Sequence, residues 1–114
     1  MKLVITLVGA IAILAIAPFG SAHASTTVVQ VRGGEFFFKL STKSIARPGT
    51  VAFTFKNVGH VVHDFKINGK QTPLIQPGAT ARLVVVFNKA GKYPYLCTVP
   101  EHASAGMRGV FTVH

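Results

Sequence analysis

Cys97, His102 and Met107 stand at even spacing, four residues between each pair, in the stretch CTVPEHASAGM. Cys97 is the only cysteine of the chain, and Met107 is its only methionine besides Met1. A thiolate, an imidazole and a thioether are soft donors, and that mixture favours copper over magnesium, calcium or manganese. At that spacing a single hairpin-like loop is able to turn all three toward one point. The set is one ligand short, because a trigonal copper site with a weak axial methionine takes two histidines and a cysteine in its plane. His63, upstream, is the candidate for the missing position. Each residue alone has an ordinary explanation: an inert buried thiol, a histidine in the core, a loop histidine, a methionine filling space. All four explanations would have to hold at once, so the joint pattern favours a metal site. His60, three residues before His63 and directly after Gly59, reads as an exposed loop histidine instead.

The elements that must position these residues are strands. Thr26 to Val31 is rich in Thr and Val and closes at Gly33-Gly34, and Phe36 to Leu40 follows with Phe36, Phe38 and Leu40 on one face. Arg47-Pro48-Gly49 predicts a turn, after which Val51, Phe53 and Phe55 alternate with Ala52, Thr54 and Lys56. His63, Phe65 and Ile67 share a face, and Asn68-Gly69 is a strong two-residue hairpin signal. Gln76-Pro77-Gly78 predicts another turn. Leu83, Val85 and Phe87 then oppose Val84 and Val86, and Tyr93, Tyr95 and Cys97 share a face of the next strand. Pro94 lacks an amide hydrogen, which predicts an edge position or a bulge there. Gly109 to His114 is the closing strand. Short strands at regular turn spacing without a helical period indicate an all-β antiparallel sandwich or barrel of about seven to eight strands. The expected helix amounts to a turn within Gln71 to Gln76 or Glu101 to Ala105.

Lys2, the apolar run Leu3 to Ala17 and Ala22-His23-Ala24 together have the pattern of a signal peptide cleaved after Ala24. The apolar run ends at Pro18 and falls short of the roughly 20 residues that span a bilayer, so no stable membrane insertion is expected after cleavage. Residues 25–114 then form one domain, expected as a monomer in a periplasmic or other extracytoplasmic space. A lone cysteine in an exported chain cannot brace its own fold; it is an intermolecular bridge, a reactive thiol or a metal ligand. The chain of 114 residues carries a formal net charge of +9, with its basic residues spread singly. Nucleic-acid binding needs a clustered basic stripe, which is absent. A dispersed positive surface steers toward acidic partners.

The segments NVGHVVHDF (Asn57 to Phe65) and YPYLCTVPEHASAGMRG (Tyr93 to Gly109) resemble the two copper-binding motifs of the cupredoxins, and are most similar to the plastocyanin, azurin and pseudoazurin type. Cys-Thr-Val-Pro-Glu-His is close to the first half of the azurin loop, whereas the His-to-Met spacing is closer to plastocyanin's. The resemblance implies a Greek-key β-sandwich holding one type 1 copper ion, cycling between Cu(I) and Cu(II), with His63, Cys97, His102 and Met107 as ligands. It implies a single-electron carrier rather than an enzyme.

Beside those ligands, Asp64 is expected to tie the two loops together through its side chain, with Thr98 as its neighbour, and to aim its amide at the Cys97 sulfur. Val99 keeps an amide that a proline would lack. The family more often has Asn where Asp64 stands. Electrons are expected to leave through the edge of His102, within a patch of Gly59, Val61, Pro100, Ala103 and Ala105. Transient docking there with an acidic redox protein, a cytochrome or a copper or haem enzyme, is the corresponding expectation for partners. A copper storage or delivery protein is the other function the ligand set admits. The acids are only Glu35, Asp64 and Glu101, with no catalytic carboxylate pair among them.

Overall fold

The computed structural model describes residues 3, 4, 9 and 25–114, so the expected leader, residues 1–24, lies outside the described residues apart from three positions. Among the described residues nine strands follow one another: β1 (Thr27–Gly34), β2 (Phe37–Leu40), β3 (Ser44–Ile45), β4 (Gly49–Asn57), β5 (Lys66–Ile67), β6 (Lys70–Gln71), β7 (Thr80–Phe87), β8 (Gly91–Leu96) and β9 (Arg108–Val113). They form two sheets, one in the order β2-β1-β4-β7 and one in the order β3-β9-β8-β5-β6. The architecture is an all-β sandwich. Most pairings are antiparallel, but β1 runs parallel to β4 and β3 parallel to β9. Strand alternation cannot report these two pairings, because it fixes which face a residue takes and not which strand lies beside it.

The apolar faces read from period 2 meet between the sheets. Val29, Val31, Val51, Phe53, Phe55, Val85 and Phe87 of the first sheet are buried against Ile67, Tyr95, Phe111 and Val113 of the second. Aromatic rings join the layers: Phe53 lies 5.2 Å from Phe65 and 5.4 Å from Phe111, and Phe65 lies 5.5 Å from Tyr95. Edge-on and tilted pairs of this kind add to their area burial. Phe65 directly follows Asp64 and sits two residues after His63, so the aromatic core anchors the segment that carries one candidate ligand.

Three local features depart from the sequence reading. β1 continues through Gly33 and Gly34, which pair with Phe38 and Phe37. A Cβ at Gly33 would meet the Phe55 ring at 2.9 Å and one at Gly34 the Phe37 ring at 2.8 Å, so glycine here admits aromatic rings over a strand instead of ending it. Phe36 stands before β2 and is 43% exposed, not on the core face. β8 is interior to its sheet rather than an edge. However, β5 is only two residues long and pairs with Tyr95 and Leu96 alone, so Pro94 has a strand beside it only on the β9 side, opposite Val110. The Asn68-Gly69 turn joins β5 to β6 with φ values of 50° and 74°, the positive values that a tight hairpin requires. Between Gln71 and Gln76 there is no turn, Gln71 ending β6 and Ile75 forming an isolated bridge with His63, whereas 100–106 is a run of turns.

Phe53 contacts Phe65, Phe87 and Phe111 at the centre of the sandwich. Phe53→Ala is expected to cost about 3–5 kcal/mol, a large part of a stability of roughly 5–15 kcal/mol. Urea unfolding of the copper-free protein checks this: the midpoint falls at an unchanged slope.

Candidate metal centre

Two connections at one pole of the sandwich, and the turn between β1 and β2, build the site. The connection after β4 carries His63. Asn57, at the end of β4 and fully buried, organises it: its side-chain amide donates to the carbonyls of Val61 and Ile75, both at 2.8 Å, and its carbonyl oxygen accepts from the Gly59 amide at 2.8 Å. His63 is then fixed through its own backbone, donating to Ile75 at 3.2 Å and accepting from the Ile75 amide at 2.8 Å. The second connection joins β8 to β9. The Cys97 amide donates to the Met107 carbonyl at 3.1 Å and the Met107 amide to the His102 carbonyl at 3.0 Å. These bonds close the eleven-residue stretch into a loop rooted at its two sulfur-bearing ends.

The donor atoms of His63, Cys97 and His102 converge. Nδ1 of His63 and Nδ1 of His102 lie 3.1 Å apart, and the Cys97 Sγ is 3.9 Å from the first and 3.7 Å from the second. A point equidistant from the three atoms of that triangle is about 2 Å from each, close to first-row metal bond lengths such as zinc's ~2.0–2.3 Å to nitrogen and sulfur. The triangle thus fits an ion, and two imidazoles with a thiolate are the donors that copper takes in trigonal sites. Among the described residues these three form the one group of histidine, cysteine and acidic side chains whose ligating atoms all lie within 4.8 Å of one another. His63 and Met107 are 0% exposed and Cys97 1%, while His102 is half-buried. Met107 is tied to Cys97 and His102 by its backbone bonds.

Asp64 is buried beside Cys97. Its amide hydrogen points at Sγ from 3.5 Å. Its carboxylate accepts from the Thr98 amide at 2.6 Å, from the Thr98 hydroxyl and from the Gln71 side chain at 2.8 Å, so one side chain spans both connections and β6. Burial pushes the Cys97 thiol up, and the amides of Asp64 and Val99 oppose that rise by favouring the thiolate. The patch around His102 is open: Val61, Pro100 and Ala105 are exposed, and Gly59 and Ala103 are half-buried. His60 is 96% exposed at its side chain.

Two residues of the site went unread in the sequence. Phe36 lies edge-on to the His102 ring at 5.0 Å and belongs to the rim of the patch. Glu35 contacts His63 Nε2 at 3.1 Å. Its carboxyl is held at about 2, well below the usual range, chiefly by the His60 amide, with desolvation opposing and the Val61 amide assisting. Both residues precede β2 on a turn with no motif of its own; the only available signal was that Glu35 is one of three acids and follows a pair of glycines. Glu101 adopts a φ of 71°, the left-handed region, within the loop.

Residues 23–114 match the family described as copper binding proteins, plastocyanin/azurin family. The chain belongs to this family, and it binds copper. It is 25% identical to the copper-resistant cuproprotein CopI of Pseudomonas aeruginosa over 146 residues, covering 84% of this chain and 80% of that protein. It is 29% identical to the copper-resistant cuproprotein CopI of Rubrivivax gelatinosus over 117 residues, with 84% and 71% covered. Dithionite-reduced auracyanin from Roseiflexus castenholzii superposes with a TM-score of 0.66 at 24% identity, over 80% of this chain and 98% of that one; this likeness shows the cupredoxin fold.

Asp64→Asn keeps the shape of the side chain but leaves one accepting oxygen where Thr98 and Gln71 present three donors. It is expected to destabilise the copper-free protein by about 1–3 kcal/mol. In the copper-loaded protein it is expected to raise the reduction potential, because a negative charge beside the sulfur favours the oxidised metal. Thermal unfolding and voltammetry check the two effects separately.

Proposed function

We propose that this cupredoxin is an exported carrier of single electrons between redox proteins. The observation that carries the reading is a donor triangle already closed and buried, with one member, His102, reaching the surface. Bound copper supplies a one-electron couple between Cu(I) and Cu(II). The chain's part is to keep the ligand positions the same in both states. His63 is braced by Ile75, Cys97 by Met107 and Asp64, and His102 by turn bonds to Val99 and Ala105. A site so braced has little to rearrange when the charge changes, which keeps transfer fast.

The reading takes His63, Cys97 and His102 as the trigonal ligands and Met107 as the weak axial one. In this reading electrons pass through the exposed edge of His102, with Gly59, Val61, Pro100, Ala103 and Ala105 as the docking patch, to which Phe36, 5.0 Å from the His102 ring, adds an exposed ring. Four protein ligands leave no position for a substrate, which supports a carrier over an enzyme. The proposed partner is an acidic redox protein, a cytochrome or a copper or haem enzyme, met by a monomer in the periplasm or an equivalent extracytoplasmic space after removal of residues 1–24. The net charge, +9 for the whole chain and +8 once Lys2 leaves with residues 1–24, supports fast encounter with such a partner more than tight binding.

A second reading, copper tolerance through storage or delivery of the metal, is favoured by the copper-resistant description of both relatives. A single methionine outside position 1 weighs against it, since handing over copper calls for spare soft ligands beyond the site.

The copper-loaded protein is expected to show an intense visible thiolate-to-copper band, lost in Cys97→Ser, and to pass through repeated reduction and reoxidation at constant copper content. A colourless Cu(II) form overturns the site. Release of copper to an apo-acceptor on reduction, without electron exchange, favours the tolerance reading over the carrier.

A further inference from the structure

One oxygen of Glu35 takes three donors. The His60 amide donates to Oε1 at 2.8 Å, the Val61 amide at 2.9 Å, and His63 Nε2 approaches it at 3.1 Å. The carboxylate lies against Gly59, where a Cβ would meet Oε2 at 2.5 Å and Oε1 at 2.6 Å. The seat is therefore built from both sides: the β1–β2 turn delivers the carboxylate, and a residue without a side chain admits it. The turn is itself fastened to this connection by the Val58 amide, which donates to the Gly33 carbonyl at 2.8 Å. A carboxylate only accepts, so the ring hydrogen of His63 sits on Nε2 and the lone pair on Nδ1, the atom that faces Cys97 and His102.

We propose that Glu35 is a positioning residue of the copper site, holding the His63 ring and the 59–61 segment in one grip and raising the donor strength of the His63 Nδ1. It rests on the reading that His63 ligates copper. Partners of this kind on the far nitrogen of a ligating histidine fix its tautomer and ring angle and make it more basic, and their loss costs 10–100-fold in metal affinity. A charged acceptor also favours the more highly charged metal, so Glu35 lowers the reduction potential. The β1–β2 turn becomes the third loop of the site, contributing Glu35 behind His63 and Phe36 against His102.

Two substitutions separate the grip from the charge. Glu35→Gln keeps an accepting oxygen for the two amides and for Nε2 but removes the charge. It is expected to retain the visible spectrum and the slow amide exchange of His60 and Val61 in the copper-free protein. Its preference for Cu(II) over Cu(I) is expected to fall about tenfold, a rise of about 59 mV for one electron. Glu35→Ala is expected to lower Cu(II) affinity 10–100-fold and to speed exchange at both amides. Gly59→Ala, which crowds the carboxylate out without altering it, is expected to behave like Glu35→Ala. Wild-type copper binding with an unchanged potential in Glu35→Gln and unchanged affinity in Glu35→Ala overturns the proposal. So does fast amide exchange in Glu35→Ala with potential and affinity intact, because Glu35 is then a brace for the loop alone. Wild-type protein that takes up no copper overturns instead the functional reading from which the proposal starts.

Discussion

Three ligating atoms gathered to within 3.9 Å of one another must each be placed by something other than the ion they would hold. The copper pole of this domain exists because every one of those donors is tied from behind. His63 is held through its backbone by Ile75 and through its far nitrogen by Glu35. Cys97 is held by the Met107 carbonyl and faced by the Asp64 amide. His102 is held by the turn bonds of its own loop. The bonds one layer out that hold these atoms are both neutral and charged; those of Asp64 are buried, where such bonds are stronger than in water, whereas Glu35 closes the layer from the exposed side.

The sandwich supplies the rigidity that this arrangement borrows. Phe65 stands two residues from His63 and Tyr95 two residues from Cys97, and the two rings are in contact. The polar pole and the aromatic core are thus consecutive layers of the same two strand segments, and alternation along each places a ligand and a core ring on the same face. Asn57 and Asp64 extend this coupling sideways. Asn57 shapes its own connection through Val61 and Gly59 and ties it to Ile75, and Asp64 spends its buried carboxylate on Thr98 and Gln71 of other segments.

The trio His63, Cys97 and His102 that the structure brings together and the faces of most strands could be read from the sequence, the trio from an unusual combination of residue types and the faces from period 2. Phe53, Phe55, Val85 and Phe87 lie where alternation puts them. What escaped was set by contacts distant in the chain. Glu35 meets His63 across 28 residues, and nothing in its neighbourhood marks it. Gly33 and Gly34 read as a stop, yet Phe37, Phe38 and Phe55 fill the space that their missing side chains leave, and pairing runs on. Phe36 looked like the first core residue of a strand that begins one position later. The parallel neighbours of β1 and β3 are matters of topology, which periodicity does not encode.

Pro94 carries a consequence beyond the register of its own strand. Because β5 stops after two residues, β8 has no strand beside that flank at Pro94, the kind of edge on which a strand from another molecule can add. Proline offers that flank no donor. An added strand would find no donor at that position, in a protein that exposes apolar valines on the outer faces of β1, β7 and β9.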